Sequence, residues 1–173
     1  MRKEVYYKYG ESFESFIYSK LSVELKEPHY IAHHLKVYSA RLKRDTEIDI
    51  LLVAQFGIYC IEAKRYRTSI EGRMNDNVWI GSSGRYKTRF YNPVLQNCEH
   101  IRSLKRLLRQ VGVNPPQIYN LICVPNECEI KSDARDIYSI GSLYSVIGND
   151  SVMRSKHINV NVVKKLLEEN CRR

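Results

Sequence analysis

Residues 47–64 read Glu-Ile-Asp-Ile-Leu-Leu-Val-Ala-Gln-Phe-Gly-Ile-Tyr-Cys-Ile-Glu-Ala-Lys. Two runs rich in Ile, Leu, Val and Tyr, residues 47–54 and 57–64, flank a Gln55-Phe56-Gly57 connection short enough for a hairpin turn. Each run breaks its apolar pattern with a carboxylate, Asp49 in the first and Glu62 in the second. An unpaired carboxylate among such residues costs several kcal/mol, so something must compensate it. Side chains alternate along a strand, which puts Glu62 and Lys64 on one face. A Gln55-Phe56 loop pairs Ala54 with Gly57 and sets Asp49 opposite Glu62, whereas a Phe56-Gly57 loop sets Asp49 opposite Lys64. Both registers gather Asp49, Glu62 and Lys64 on one face, together with Glu47.

Outward from this hairpin the pattern alternates between helix and strand. Residues 10–25 carry Phe13, Phe16, Ile17 and Leu21 at helical spacing and end before Pro28, and residues 35–42 form another strand-like run. Three shorter pieces follow, residues 69–74, 77–81 and 86–91, separated by Asn-Asp-Asn and Gly-Ser-Ser-Gly turns, and are expected to decorate the sheet. A second helix is expected over 94–111, ended by Gly112, Pro115 and Pro116. Residues 117–125 then read as a buried strand and residues 142–147 and 160–170 as small helices. The order describes an α/β sandwich on a mixed sheet, with no repeat and no linker to divide it.

The 173 residues include 28 Lys and Arg against 19 Asp and Glu, a formal charge of +9, with 43% hydrophobic and 27% charged residues. This composition folds around a core and excludes a disordered chain. No apolar stretch approaches the roughly 18 residues of a membrane span and the first residues lack the apolar segment of a secretory signal, so a cytoplasmic protein without a membrane partner is expected. The five cysteines, Cys60, Cys98, Cys123, Cys128 and Cys171, show no finger spacing. Cys60, Cys98 and Cys123 read as buried small hydrophobes rather than zinc ligands.

Two carboxylates at cross-strand distance repel unless a cation sits between them, and Mg²⁺ or Mn²⁺ prefers oxygen donors of this kind. A lysine beside them can orient water or neutralise charge on a phosphate. From spacing alone two readings stand: a centre for metal-assisted phosphodiester hydrolysis, and a buried ion pair that ties two strands together.

Asp49 followed by Glu62-Ala63-Lys64 resembles the D…(D/E)xK signature of the PD-(D/E)XK nuclease superfamily. The wider set comprises Gly10-Glu11 at the first helix, Thr46-Glu47-Ile48-Asp49, residues 57–64, Trp79, and Asn92-Pro93-Val94-Leu95-Gln96-Asn97. In this order the motifs resemble the nuclease-related domain, NERD, over residues 10–108, with a weaker pattern through residue 125. The resemblance implies a restriction-endonuclease-like α/β fold with an αβββαβ core, in a single domain over 1–173. Its core would span about 10–125, with a small helical and strand extension over 126–173. It further implies that Asp49, Glu62, Glu11 and the Ala63 carbonyl hold Mg²⁺ or Mn²⁺. Lys64 would position or activate water, Glu11 would complete the acidic cluster, and Gln96 would hold Lys64 or a water. The superfamily proline is absent, with Ile48 in its place. The expected activity is hydrolysis of DNA, with RNA left open; the alternative is a non-catalytic or weakly active nucleic-acid-binding module of the same fold.

Nucleic acid would meet basic and aromatic residues together, because aromatic faces stack on bases while Arg and Lys hold phosphates. Arg65, Tyr66 and Arg67 follow the site, and Arg85, Lys87 and Arg89 lie in the 85–89 turn region. On the second helix Arg102, Lys105, Arg106 and Arg109 form a basic stripe, either a track for phosphates or a solvated outer face. His33-His34 reads as an exposed polar pair rather than a metal site.

Overall fold

The computed structural model describes residues 12–25, 28–115, 117–148 and 158–172. Helix α1 (Phe13–Glu24) starts at Ser12, whose hydroxyl accepts the Ser15 N–H, and buries Phe13, Phe16, Ile17 and Leu21 as their spacing dictates. Strands β1 (His29–Ser39), β2 (Arg44–Ala54) and β3 (Gly57–Ala63) follow as an antiparallel meander. The β2–β3 hairpin adopts the Gln55-Phe56 loop, pairing Ala54 with Gly57 through to Ile50 with Ile61, so that Asp49 and Glu62 come next, just past the end of the ladder. Gly57 is required there, because a Cβ would lie 2.6 Å from the Tyr119 ring.

Strand β1 begins six residues before the run read from the sequence, for a specific reason. Tyr30, Ala32, Leu35 and Val37 all enter one core cluster, so the alternation slips by one residue around His34, which has φ of 53°. The partner strand slips too: Ile48, Leu51 and Val53 share that same cluster. The slip separates Glu47 from the expected carboxylate face, and its carboxylate instead meets His34 Nδ1 at 2.9 Å.

After β3 the chain builds a second sheet from β4 (Ser69–Glu71), β5 (Val78–Ser83) and β6 (Tyr86–Tyr91). These strands do not decorate the first sheet; they form a sheet of order β6-β5-β4-β8 with the later strand β8 (Glu129–Lys131). Helix α2 (Pro93–Gln110) returns the chain to β7 (Ile118–Val124), which pairs parallel to β3. Strand β9 (Ile137–Ser139), which shows no sequence signal of its own, extends the first sheet to the order β1-β2-β3-β7-β9. Helices α3 (Ile140–Gly148) and α4 (Val160–Asn170) complete the chain.

The mixed sheet is covered on both faces. Residues of α2 and α4, including Leu104, Leu108, Val163 and Leu167, join Leu51, Val53, Ile58 and Cys60 on one side. Residues of α1 and α3, including Ile17, Leu21 and Leu143, join Ile50, Leu52, Tyr59 and Ile61 on the other. A third cluster, with Trp79, Ile70, Val94 and Ile122, fastens the second sheet to the first. At about 25 cal/mol per Å² of apolar surface, clusters of this size supply the main stabilisation.

Candidate active site

Glu62, 1% exposed at the end of β3, is the centre of the site. Its Oε1 accepts a hydrogen bond from Lys64 Nζ at 2.6 Å, and the same ammonium donates to Gln96 Oε1 at 3.4 Å. Asp49 Oδ2 accepts the Ala63 N–H at 2.8 Å. Burial, the neighbouring Glu62 and, more weakly, Glu14 push the Asp49 carboxyl up from 3.8 to about 7, against the opposing pull of the Ala63 N–H and Lys64. The structure therefore brings together Asp49, Glu62, Lys64 and Gln96. Glu11 lies outside the described residues, and Glu14 is the first-turn carboxylate of α1 whose charge is felt at Asp49.

Why these elements deliver these groups follows from local chemistry. Asn92 caps α2 by accepting the N–H groups of Val94 and Leu95, while its amide donates to the carbonyls of Met74 and Asp76. This cap fixes the helix start, and with it Gln96, beside the end of β3. One residue further on, the Asn97 amide donates to the Cys60 carbonyl at 2.7 Å and to Asn120 Oδ1 at 2.8 Å, so α2 is hydrogen-bonded to β3 and β7 at the level of the site.

The site also contains a residue the sequence reading passed over. His100, 3% exposed on α2, places Nε2 3.4 Å from Glu62 Oε2 and Nδ1 2.7 Å from the Thr46 hydroxyl. Neither Glu62 Oε2 nor His100 Nε2 has a hydrogen-bond partner. The available signal was the four-residue step from Gln96 to His100, one helical turn on the same face. Among the described residues no three His, Cys, Asp or Glu side chains converge on one metal position.

The expected nucleic-acid residues divide. Phe90 of β6 lies 5.8 Å from Lys64 Nζ and stacks on Tyr66 at 4.9 Å, so the second sheet borders the site. Tyr66 is a packing residue rather than a free platform: its ring covers Gly81 so closely that a Cβ there would lie 2.3 Å away. Lys87 and Arg89 are exposed on β6, and Arg85 stacks on Tyr86 with its guanidinium 5.2 Å from the ring. Arg65 is exposed, and Arg67 lies 3.6 Å from Glu127. Arg102 does not stand free for phosphate: it pairs with Glu99, a buried carboxylate also bound by Ser39 and Arg41; burial pushes that carboxyl up, but the three partners together outweigh it and hold it below the usual range. Lys105 is half-buried farther along α2. His33 and His34 are also half-buried, and Cys98 is exposed rather than part of the core; Cys60 and Cys123 are buried as expected.

The nuclease-related domain family matches residues 9–125, which include the β2–β3 hairpin and the first half of α2 that carry the site. The chain belongs to the nuclease-related domain (NERD) family. This NERD chain is 30% identical over 101 residues to an uncharacterized protein of Bacillus anthracis, an alignment that covers 58% of the chain. It spans about half, 47%, of that relative's length. No solved structure matches it. No helix among the described residues is long and apolar enough to cross a membrane.

Proposed function

We propose that this NERD protein is a metal-dependent nuclease of the PD-(D/E)XK type that hydrolyses DNA phosphodiester bonds. The observation that carries the reading is the convergence of Asp49, Glu62, Lys64 and Gln96 at one end of the β2–β3 hairpin, with both carboxylates drawn out of water. The donor set fits a hard divalent cation. Lys64 pairs with Glu62 but not with Asp49, which rests on the Ala63 N–H, and the buried Glu62 Oε2 lacks a hydrogen bond, which leaves negative charge for a cation to satisfy.

Asp49, Glu62 and the Ala63 carbonyl would hold Mg²⁺ or Mn²⁺, with Glu11 as the further carboxylate the family pattern places at the first helix. When bound, the ion supplies Lewis-acid stabilisation of the phosphate and eases deprotonation of water. Lys64, held by Glu62 and Gln96, positions the attacking water and offsets charge developing on the phosphate. The Ala63 N–H orients the Asp49 carboxylate. Exposed Lys87 and Arg89 alternate with Phe90 along β6 and project from its other face, where they would meet phosphates that run past the site, with Arg65, Arg67 and Arg85 as further contacts and Lys105 more distant.

The test is incubation of supercoiled plasmid and linear single-stranded DNA with the protein in Mg²⁺, Mn²⁺ or EDTA, alongside Lys64→Ala and Asp49→Asn. Metal-dependent cutting lost in both variants supports the proposal. Intact DNA in every lane, with salt-sensitive binding retained, replaces it with a non-cutting nucleic-acid-binding module.

A further inference from the structure

The polar residue the proposed chemistry leaves unused is His100. It is buried, its Nε2 stands 3.4 Å from the one Glu62 oxygen that Lys64 does not occupy, and neither atom has a hydrogen-bond partner. Gln96 and His100 sit one turn apart on α2, so the helix reaches both members of the Glu62–Lys64 pair: Gln96 meets the ammonium, and His100 meets the carboxylate.

We propose that His100 is a positioning residue, fixed by Thr46 with its Nε2–H beside Glu62 Oε2, that sets the orientation in which the Glu62 carboxylate receives the cation. The tautomer follows from the surroundings. A neutral ring carrying its proton on Nδ1 would aim the Nε2 lone pair at a carboxylate oxygen in a site nearly closed to water, a repulsion that low dielectric strengthens. A hydroxyl both donates and accepts, so Thr46 donates to Nδ1 and leaves the proton on Nε2. A carboxylate gripped on one oxygen by Lys64 alone can rotate about its last torsion; a ring N–H standing 3.4 Å from the other oxygen restrains that rotation while leaving the oxygen without a hydrogen bond and open to a cation. Groups that orient a metal ligand in this way commonly carry roughly 10–100-fold in metal affinity.

The catalytic consequence rests on the nuclease reading, but the geometry does not, and the experiment separates them. Imidazole ¹⁵N NMR of the intact protein, with His100→Gln to assign the ring, is expected to show the Nε2–H form for His100 and a changed Nε2 shift in Glu62→Gln. An Nδ1–H tautomer, or an Nε2 resonance indifferent to Glu62→Gln, overturns the proposal whether or not the protein cuts DNA. In parallel, Mn²⁺ titration by calorimetry is expected to show affinity reduced by roughly 10–100-fold in folded His100→Leu. Most of that loss should be recovered in His100→Gln, which keeps a donor. Native-like Mn²⁺ affinity in folded His100→Leu overturns the positioning role. A native protein that binds no Mn²⁺ and cuts nothing overturns the nuclease reading, and the NMR result still decides the His100–Glu62 contact.

Discussion

Asp49 is where the site opposes folding. Its carboxyl is raised to about 7 by burial and by Glu62, above its ordinary 3.8, so between these values the folded chain binds more proton than the unfolded one. The contribution of Asp49 to stability is therefore fully present at acid pH, falls by up to ~1.4 kcal/mol for each pH unit as pH rises toward 7, and stays lost above it. Asp49→Asn is expected to raise the thermal midpoint of the metal-free protein at pH 8, with the gain shrinking toward pH 4; a loss of stability at pH 8 would contradict this. Because a cation needs the ionised carboxylate, Mn²⁺ affinity should fall about tenfold per unit below pH 7, measured by calorimetry. Lys64 acts in the opposite sense. Lys64→Ala strands Glu62 as a buried charge and is expected to cost about 3–5 kcal/mol in denaturant unfolding, a loss that Glu62→Gln in the same chain should largely relieve. Asp49, Glu62 and Lys64 were legible because strand alternation and a two-residue loop are local geometry, and Gln96 because it matches the family's motif after Asn92-Pro93. His100 and Glu14 were not, because their places depend on how α2 and α1 dock on the sheet.

At the scale of the element, α2 is the part that assembles the site. Its Asn97 amide spans to β3 and β7, and its first turns carry Gln96 and His100. Asn97→Leu leaves the Cys60 carbonyl and Asn120 without their donor and is expected to cost about 1–3 kcal/mol, checked by denaturant unfolding; cleavage should fall as α2 loosens over the site. The helix was readable from the Gly112, Pro115 and Pro116 that end it, and both small C-terminal helices lie near their expected places. Strand β1 was read short because the slip at His34 moves Leu35 and Val37 onto the face already held by Tyr30 and Ala32, which a period-two count registers as a boundary. Strands β8 and β9 have three residues each, too few for any periodicity, and exist because β4 and β7 offer them parallel partners. Sequence pattern carries little about such pairing, so the second sheet could be anticipated as strands but not as a separate layer.

For the whole molecule, the charge of +9 matters only where it is free to meet a polyanion. Arg102 is spent on Glu99, whereas Lys87 and Arg89 are exposed on the strand that borders the site. Lys87→Ala and Arg89→Ala are expected to weaken DNA binding, each lowering the slope of log affinity against log salt by about 0.7–0.9, while Arg102→Ala should leave that slope unchanged. Equal slopes for all three would contradict this division of the basic surface. The central claim is that the paired carboxylates and Lys64 form a hydrolytic centre, and the most direct measurement is the single-turnover cleavage rate of native protein and Glu62→Gln in the same metal-containing buffer. Glutamine keeps the shape of Glu62 and an acceptor for Lys64 while removing the charge. The account predicts cleavage by the native protein that EDTA stops and that is lost in a folded Glu62→Gln variant. Equal rates for the two proteins, or native cleavage indifferent to EDTA, would contradict it.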